Sequence, residues 1–272
     1  MKIAIIGAGT IGLSWATLFL SRGHTVTVSD PRPDLAQVVP RGALLAESVE
    51  QAVAEAEVVQ ENGPERIEFK QDLFAAIEKA APSDALILSS TSGLVASAMS
   101  EKMAEPGRLI VGHPFNPPHI LPLVELVPSP ATPDALVRRA REFYRSLGKV
   151  PVLVHKEVDG FVANRLQHVL FRECVSLVEQ GVVSVAELDE IVTNSVGVRW
   201  ATVGPFQAFH LGGGPGGLRH MMAHLMTDIE PETAARLAEA AEREYPLENY
   251  EQLCEMRDRL QSAIIELKGG VN

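Results

Sequence analysis

Cysteine is scarce in this sequence: Cys174 and Cys254 are the only two in 272 residues. They lie far apart without CxxC spacing, each inside a helix-like amphipathic segment. Both read as reduced packing residues, and a disulfide framework is excluded. Long apolar runs are lacking too. "ALILSS" and "ILPLVELV" fall well short of the roughly 20 residues that span a bilayer, so no membrane crossing is expected. Met1-Lys2 leads directly into "IAIIG", without the basic region, longer apolar core and small-residue cleavage site of a secretory signal, and a cytoplasmic location is the expectation. Basic charge is in deficit: 24 Lys and Arg against 35 Asp and Glu give a formal net charge of -11. No Lys/Arg stripe could neutralise phosphates in series, so nucleic acid is not an expected partner. No repeat period or low-complexity tract is present, which excludes solenoids and propellers.

An apolar content of 46% is ordinary for a soluble globular chain, large enough here for one domain or two unequal ones. The first part alternates short β-branched runs with amphipathic helical stretches. Strands are predicted over Lys2–Ile6, Thr25–Ser29, Val58–Gln60, Leu86–Ser89, Leu109–Gly112, Leu123–Val127 and Val150–Val154. Helices are predicted over Ile11–Arg22, Ser48–Ala56, Arg66–Ala80 and Pro133–Leu147. This alternation implies an α/β fold, an N-terminal Rossmann-type doubly wound, mostly parallel sheet with helices on both faces. From Gly160 the pattern becomes helix after helix, over Gly160–Gln180, Ser184–Asn194, Glu232–Glu244 and Tyr250–Lys268. "SVAELDE" opens its helix with a capping-box signature, Ser184 followed by Glu187. The expected domains are therefore 1–157, a sheet domain, and 158–272, an all-helical domain.

"KIAIIGAGTIG" places Gly7, Gly9 and Gly12 in GxGxxG spacing directly after a strand and at the start of a helix. Gly7 would make the tight turn, Gly9 would let the backbone approach a pyrophosphate, and Gly12 would let helix pack on strand. Thr10 and Ile11 begin the helix whose N–H groups face the anion. The motif alone is weak, but the strand before, the helix after and Asp30 at the end of the next strand make NAD the expected cofactor. A carboxylate at Asp30 accepts hydrogen bonds from an adenosine ribose and repels a 2′-phosphate. Arg32 could accommodate that phosphate, or stand as a solvated loop charge.

Three polar motifs fall at strand ends, where ligands sit in open α/β sheets. "SSTSG" follows Leu86–Leu88, "GHPFNP" follows Leu109–Val111, and "LVELVP" carries Glu125 inside a strand. Taken singly, His113 reads as a histidine satisfied by backbone at a strand terminus. Glu125 is harder to explain, because a carboxylate among Leu123, Val124, Leu126 and Val127 is costly to bury without a partner.

These motifs, with "GFVANRL" further on, resemble the 3-hydroxyacyl-CoA dehydrogenase family, including its free-acid branch of L-gulonate 3-dehydrogenase, lambda-crystallin and L-carnitine dehydrogenase. The resemblance spans nearly the whole chain. It implies that Ser92, His113, Glu125 and Asn164 are catalytic: His113 as base for a hydroxyl proton, Glu125 as acceptor of the other imidazole N–H, and Ser92 and Asn164 as hydrogen-bond partners of the substrate oxygen. It further implies that Glu61 and Lys70 lie near the nicotinamide ribose, although both could be solvated helix-end charges. A homodimer is expected from the same resemblance and from the apolar breadth of Gly160–Gln180.

Two features depart from the acyl-CoA members. Their helical hairpin after the second strand, which helps cover coenzyme A, is absent: only "PRPDLAQVVPRG" stands there, and its three prolines exclude two paired helices. The segment before "GPF" carries Arg199-Trp200 where acyl-CoA enzymes are apolar, and Arg199 is expected to grip a substrate carboxylate. The expected activity is NAD-dependent oxidation of a small free 3-hydroxy acid. A 3-hydroxyacyl-CoA dehydrogenase with a reduced CoA site and a non-catalytic, crystallin-like NAD-binding protein are the alternatives. "GGGPGG" lacks the preceding strand of a phosphate loop and reads as a flexible connection. His220 and His224 have no HExxH glutamate beside them, so no metal is expected.

Overall fold

The computed structural model describes residues 1–226 and 228–269. Eight strands form one sheet: β1 (Lys2–Ile6), β2 (Thr25–Ser29), β3 (Leu44–Leu45), β4 (Val58–Glu61), β5 (Leu86–Ser89), β6 (Leu109–Pro114), β7 (Leu123–Pro128) and β8 (Val150–Leu153). Their order is β3-β2-β1-β4-β5-β6-β7-β8. All neighbouring pairs are parallel except β6 and β7, which run antiparallel. Seven helices accompany the sheet in sequence: α1 (Thr10–Ser21), α2 (Leu35–Val38), α3 (Val49–Val53), α4 (Ile67–Ala80), α5 (Ala96–Met99), α6 (Asp134–Ser146) and α7 (Ala163–Glu179).

The strands are apolar on both faces because both faces are covered. Ile3 and Ile5 of β1 join a core with Trp15, Phe19, Phe143 and Tyr144 from α1 and α6. Ala4 and Ile6, pointing the other way, join Val53, Phe74, Ile77, Met99 and Phe161. Ser48 caps α3, accepting a hydrogen bond from the Gln51 amide at 3.2 Å. Between β2 and β3 stands only the four-residue α2, so the paired helices excluded by the prolines are absent there.

The chain divides into two compact units, Met1–Leu170 and Phe171–Asn272. The first turns of α7 thus group with the sheet, for a reason that lies in the site described below. The second unit is helical among its described residues: α8 (Val185–Thr193), α9 (Val196–Thr202), α10 (Pro205–Gly212), α11 (Gly217–Leu225), α12 (Pro231–Glu244) and α13 (Tyr250–Gly269). Ser184 and Glu187 form the capping box of α8. Leu218, Met222 and Ala241 make a small core between α11 and α12. The glycine-rich run connects α10 to α11 through a 3-10 turn over Gly214–Gly216. It closes because a Cβ on Gly213 would lie 1.9 Å from the Gly217 carbonyl oxygen. Both cysteines are free and half-buried.

Candidate active site

The turn after β1 is built as its glycines require. Gly7 has φ +97°, and a Cβ there would lie 2.7 Å from the Asn62 carbonyl oxygen. At Gly12 a Cβ would lie 1.9 Å from the Gly7 carbonyl oxygen, so no other residue lets α1 start this close to the strand. Gly9 differs: a Cβ would meet nothing within 4 Å, leaving its surface open. Gly9 and Thr10 are exposed and Ile11 is half-buried. Asp30 fixes this turn from β2, its two carboxylate oxygens accepting from the Ala8 amide at 2.6 Å and the Arg32 amide at 2.9 Å. Arg32 is partly exposed but committed. Its guanidinium clasps Asp34 through two hydrogen bonds of 2.7 and 3.0 Å and donates to the Ala8 carbonyl at 3.1 Å.

Glu61 and Lys70 are fully buried and pair with each other at 2.7 and 2.9 Å, so neither is a solvated helix-end charge. Glu61 also accepts from the Gly63 amide at 2.6 Å and the Ser89 hydroxyl at 2.6 Å. Ser89 in turn accepts from the Thr91 amide at 3.2 Å, so this buried pair holds the turn after β5 that leads to Ser92. Sequence reading missed Glu65, whose partly exposed carboxylate lies 3.6 Å from Lys70 and accepts from the Thr91 hydroxyl at 2.6 Å.

His113 and Glu125 are directly opposed residues of the antiparallel β6–β7 ladder. Their side chains therefore leave the sheet on one face, as cross-strand partners must. His113 Nδ1 lies 2.9 Å from Glu125 Oε2, with His113 only 4% and Glu125 3% exposed. The second carboxylate oxygen accepts from the amides of Val162 and Ala163 at 2.9 and 3.1 Å. Those amides are the open N-terminus of α7, where a negative charge is favoured and the N–H groups otherwise lack partners. Burial pushes the Glu125 carboxyl up, but hydrogen bonds from His113, Ala163 and Val162 and the electrostatic attraction of His113 outweigh it and hold the group below its ordinary range. Phe161, just before this helix, has φ 52°. A left-handed conformation is strained for a phenylalanine. It is held by full burial of the ring, whose centroid lies 5.3 Å from that of His113.

The exposed rim of the imidazole opens into a cleft of about 400 Å³ lined by Ile11, Ser90, Ser92, His113, Pro114, Phe115, Asn116, Asn164 and Gln167. Asn164, in the first turn of α7, donates its side-chain amide to the Ser92 carbonyl at 2.9 Å. Ser92, His113, Glu125 and Asn164 are thus brought together, and Ile11 brings the first turn of α1 to the cleft. Five lining residues, Ser90, Pro114, Phe115, Asn116 and Gln167, were not singled out from sequence. Gln167 follows Asn164 by one helical turn, a spacing that could have revealed it. Ser90 sits in a buried network, accepting from Trp15 Nε1 at 3.0 Å and Gln60 Nε2 at 2.9 Å, while Tyr144 donates to Gln60 at 2.8 Å.

Arg199 lies on α9 in the second unit, exposed, and its guanidinium has no hydrogen bond or ion pair among the described residues. His220 and His224 stack edge to face at 4.4 Å, but among the described residues no three His, Cys, Asp or Glu side chains could hold a metal ion. No described helix is long and apolar enough to cross a membrane.

Two family models match the chain: "3-hydroxyacyl-CoA dehydrogenase, NAD binding domain" over residues 2–44 and 34–158, and "3-hydroxyacyl-CoA dehydrogenase, C-terminal domain" over 160–246. An L-carnitine dehydrogenase of Streptomyces griseus subsp. griseus is 43% identical over 244 residues, covering 82% of this chain and 73% of the relative. A 3-hydroxyacyl-CoA dehydrogenase of Gibberella moniliformis is 43% identical over 235 residues, covering 79% and 73%. Among solved structures, 5-formyl-3-hydroxy-2-methylpyridine 4-carboxylic acid 5-dehydrogenase, an NAD+ dependent dismutase, has 28% identity and a TM-score of 0.75, covering 98% of each chain.

The depressed Glu125 carboxyl links stability to pH. A carboxyl with a lower pKa folded than unfolded adds stability that is present above its unfolded value, ordinarily 4.5 for glutamate, and is lost as pH falls through the folded value. Wild type should therefore exceed Glu125→Gln in stability at neutral pH, and the gap should narrow below pH 4.5. Denaturant unfolding of both proteins across that range measures it; a gap independent of pH would show that the carboxylate contributes nothing through its charge.

Proposed function

The chain belongs to the 3-hydroxyacyl-CoA dehydrogenase family and is an NAD-dependent dehydrogenase; from that premise we propose that it oxidises the 3-hydroxyl of a small free hydroxy acid to the 3-keto acid. The observation that carries this reading is the His113–Glu125 pair, 2.9 Å apart on a cleft to which Ile11 brings the first turn of α1. NAD, when bound, supplies the hydride acceptor. The turn fits it: Gly9 leaves room for a pyrophosphate, the start of α1 offers its N–H groups with Thr10 and Ile11, and Gly7 and Gly12 hold the two together. Asp30 keeps lone pairs for ribose hydroxyls beside its two amide contacts and repels a 2′-phosphate, while Asp34 occupies Arg32. Glu61 and Lys70 act from beneath this surface, near the nicotinamide ribose, by fixing the turn that carries Ser92.

The residues then divide the work on the alcohol. Glu125 accepts a hydrogen bond from Nδ1–H of His113, which leaves Nε2 with a lone pair for the hydroxyl proton, and its negative charge compensates the imidazolium that forms. Ser92 and Asn164 hydrogen-bond the substrate oxygen as it passes from hydroxyl to carbonyl. Residues 1–157 serve as the NAD-binding domain in this scheme and 158–272 as the substrate and dimerisation domain. For the dimer, α7 supports the reading: Leu166, Val169 and Phe171 are each more than 60% exposed, an apolar surface that a second copy would cover. A monomeric mass in light scattering would refute it.

Two observations favour a free acid over a CoA thioester. The connection from β2 to β3 has no room for a coenzyme-covering hairpin, and Arg199 presents a guanidinium uncommitted among the described residues, whose planar fork suits a carboxylate. Relatives named L-carnitine dehydrogenase point the same way, since L-carnitine is a free 3-hydroxy acid; the Gibberella relative, a 3-hydroxyacyl-CoA dehydrogenase, supports the thioester alternative. NADH formation should appear with one or more free 3-hydroxy acids, L-carnitine among those assayed, and be weak with 3-hydroxybutyryl-CoA; the reverse pattern would replace this reading with the thioester one. Arg199→Met should raise KM for the acid by about tenfold or more, in keeping with roughly 1.5–3 kcal/mol for a charge-assisted hydrogen bond. His113→Ala should lower kcat by about 10²–10⁴-fold and leave NADH affinity nearly unchanged. A variant with near-wild-type kcat would remove His113 from the chemistry.

A further inference from the structure

Lys149 is a buried amine without a carboxylate partner among the described residues. It is 7% exposed, and burial, reinforced by the charge of Arg22, lowers its pKa. Its Nζ donates to the Leu121 carbonyl at 2.7 Å and to the Pro118 carbonyl, and stands 5.6 Å from the centre of the Trp15 ring. Both carbonyls belong to residues 115–122, the connection between β6 and β7. A second tie holds the same loop. Ser14 Oγ lies 2.8 Å from His119 Nδ1 and accepts from the His119 amide at 3.0 Å. Ser14 and Trp15 are both on α1, the helix that begins at the dinucleotide turn, and Phe115 and Asn116 at the head of the loop line the cleft.

Burying an amine is costly where an apolar side chain of similar length would pack as well, so its hydrogen bonds must serve something that packing cannot. We propose that Lys149 is a positioning residue for substrate: its amine holds loop 115–122 against α1, so that Phe115 and Asn116 form the cleft wall beside His113. It touches neither substrate nor cofactor. His113 and Glu125 do not depend on it in the same way, because each is fixed in a strand on its own side of the loop by the β6–β7 ladder. Losing the clamp therefore weakens the grip on the hydroxy acid more than it slows proton transfer. This inference rests on the cleft being the hydroxy-acid site.

The test uses Lys149→Met in the full chain, which keeps an unbranched stem and removes the donors. Steady-state kinetics with the hydroxy acid that wild type oxidises, NADH binding by fluorescence, and hydrogen exchange of residues 115–122 are the readouts. KM for the acid should rise about tenfold, with kcat within about threefold and the NADH Kd within about twofold of wild type. Amide exchange should quicken in 115–122 and stay unchanged in β1 and β4. Ser14→Ala, which loosens the same loop without touching the buried amine, should move KM and loop exchange in the same direction by less, and decides the matter if Lys149→Met fails to fold. Unchanged loop exchange, or a lower melting temperature with kinetics intact, would overturn the proposal. A wild type that oxidised no hydroxy acid would defeat the functional reading, while loop exchange in the variants would still decide the clamp.

Discussion

One change of strand direction organises the site. A wholly parallel sheet would place β7 a crossover away from β6 and give no reason for His113 and Glu125 to meet. Because β7 turns back antiparallel, the two residues face each other across the ladder, and the alternation of side chains puts both on the face that carries Phe161. A carboxylate in an apolar strand is thereby paired on both oxygens. One serves His113; the other closes the N-terminus of α7 through the Val162 and Ala163 amides. The same group orients the imidazole and anchors the helix that brings Asn164 to Ser92, which is why the first turns of α7 group with the sheet.

The cofactor side meets this arrangement through α1. Its first turn follows the glycine turn after β1, Ile11 reaches the cleft, Trp15 donates to Ser90 in the cleft lining, and Ser14 ties down the β6–β7 loop. Small displacements of α1 would be felt at the cofactor, at the cleft wall and in the core together, since interiors packed this tightly transmit strain.

Much of the first unit was legible in the sequence because its elements are continuous and regular. Each long parallel strand is an apolar run between punctuating residues, and α1, α4 and α6 carry clean helical spacing. The two-residue β3 has too little sequence to show a period, and α9 to α11 were not resolved as separate helices because Gly197, Gly204-Pro205 and the glycine-rich run cut 196–225 into pieces shorter than a readable window. The catalytic candidates were legible as motif residues, but their contacts were not. Nothing in the spacing of Glu61 and Lys70 reveals that both are wholly buried, and nothing in "GKVP" marks Lys149 as an interior amine. Burial of a charge is decided by what folds over it from elsewhere in the chain, here β5, the turn after it and the β6–β7 loop.

The central claim is that Glu125 sets the imidazole so that Nε2 faces the alcohol. Nitrogen-15 spectra of histidine-labelled protein, with His113 assigned by comparison with His113→Ala, read the tautomer directly. The account predicts a proton on Nδ1, protected from exchange in wild type and exposed to it in Glu125→Ala. A ring protonated at Nε2 would leave no lone pair toward the cleft and would contradict it.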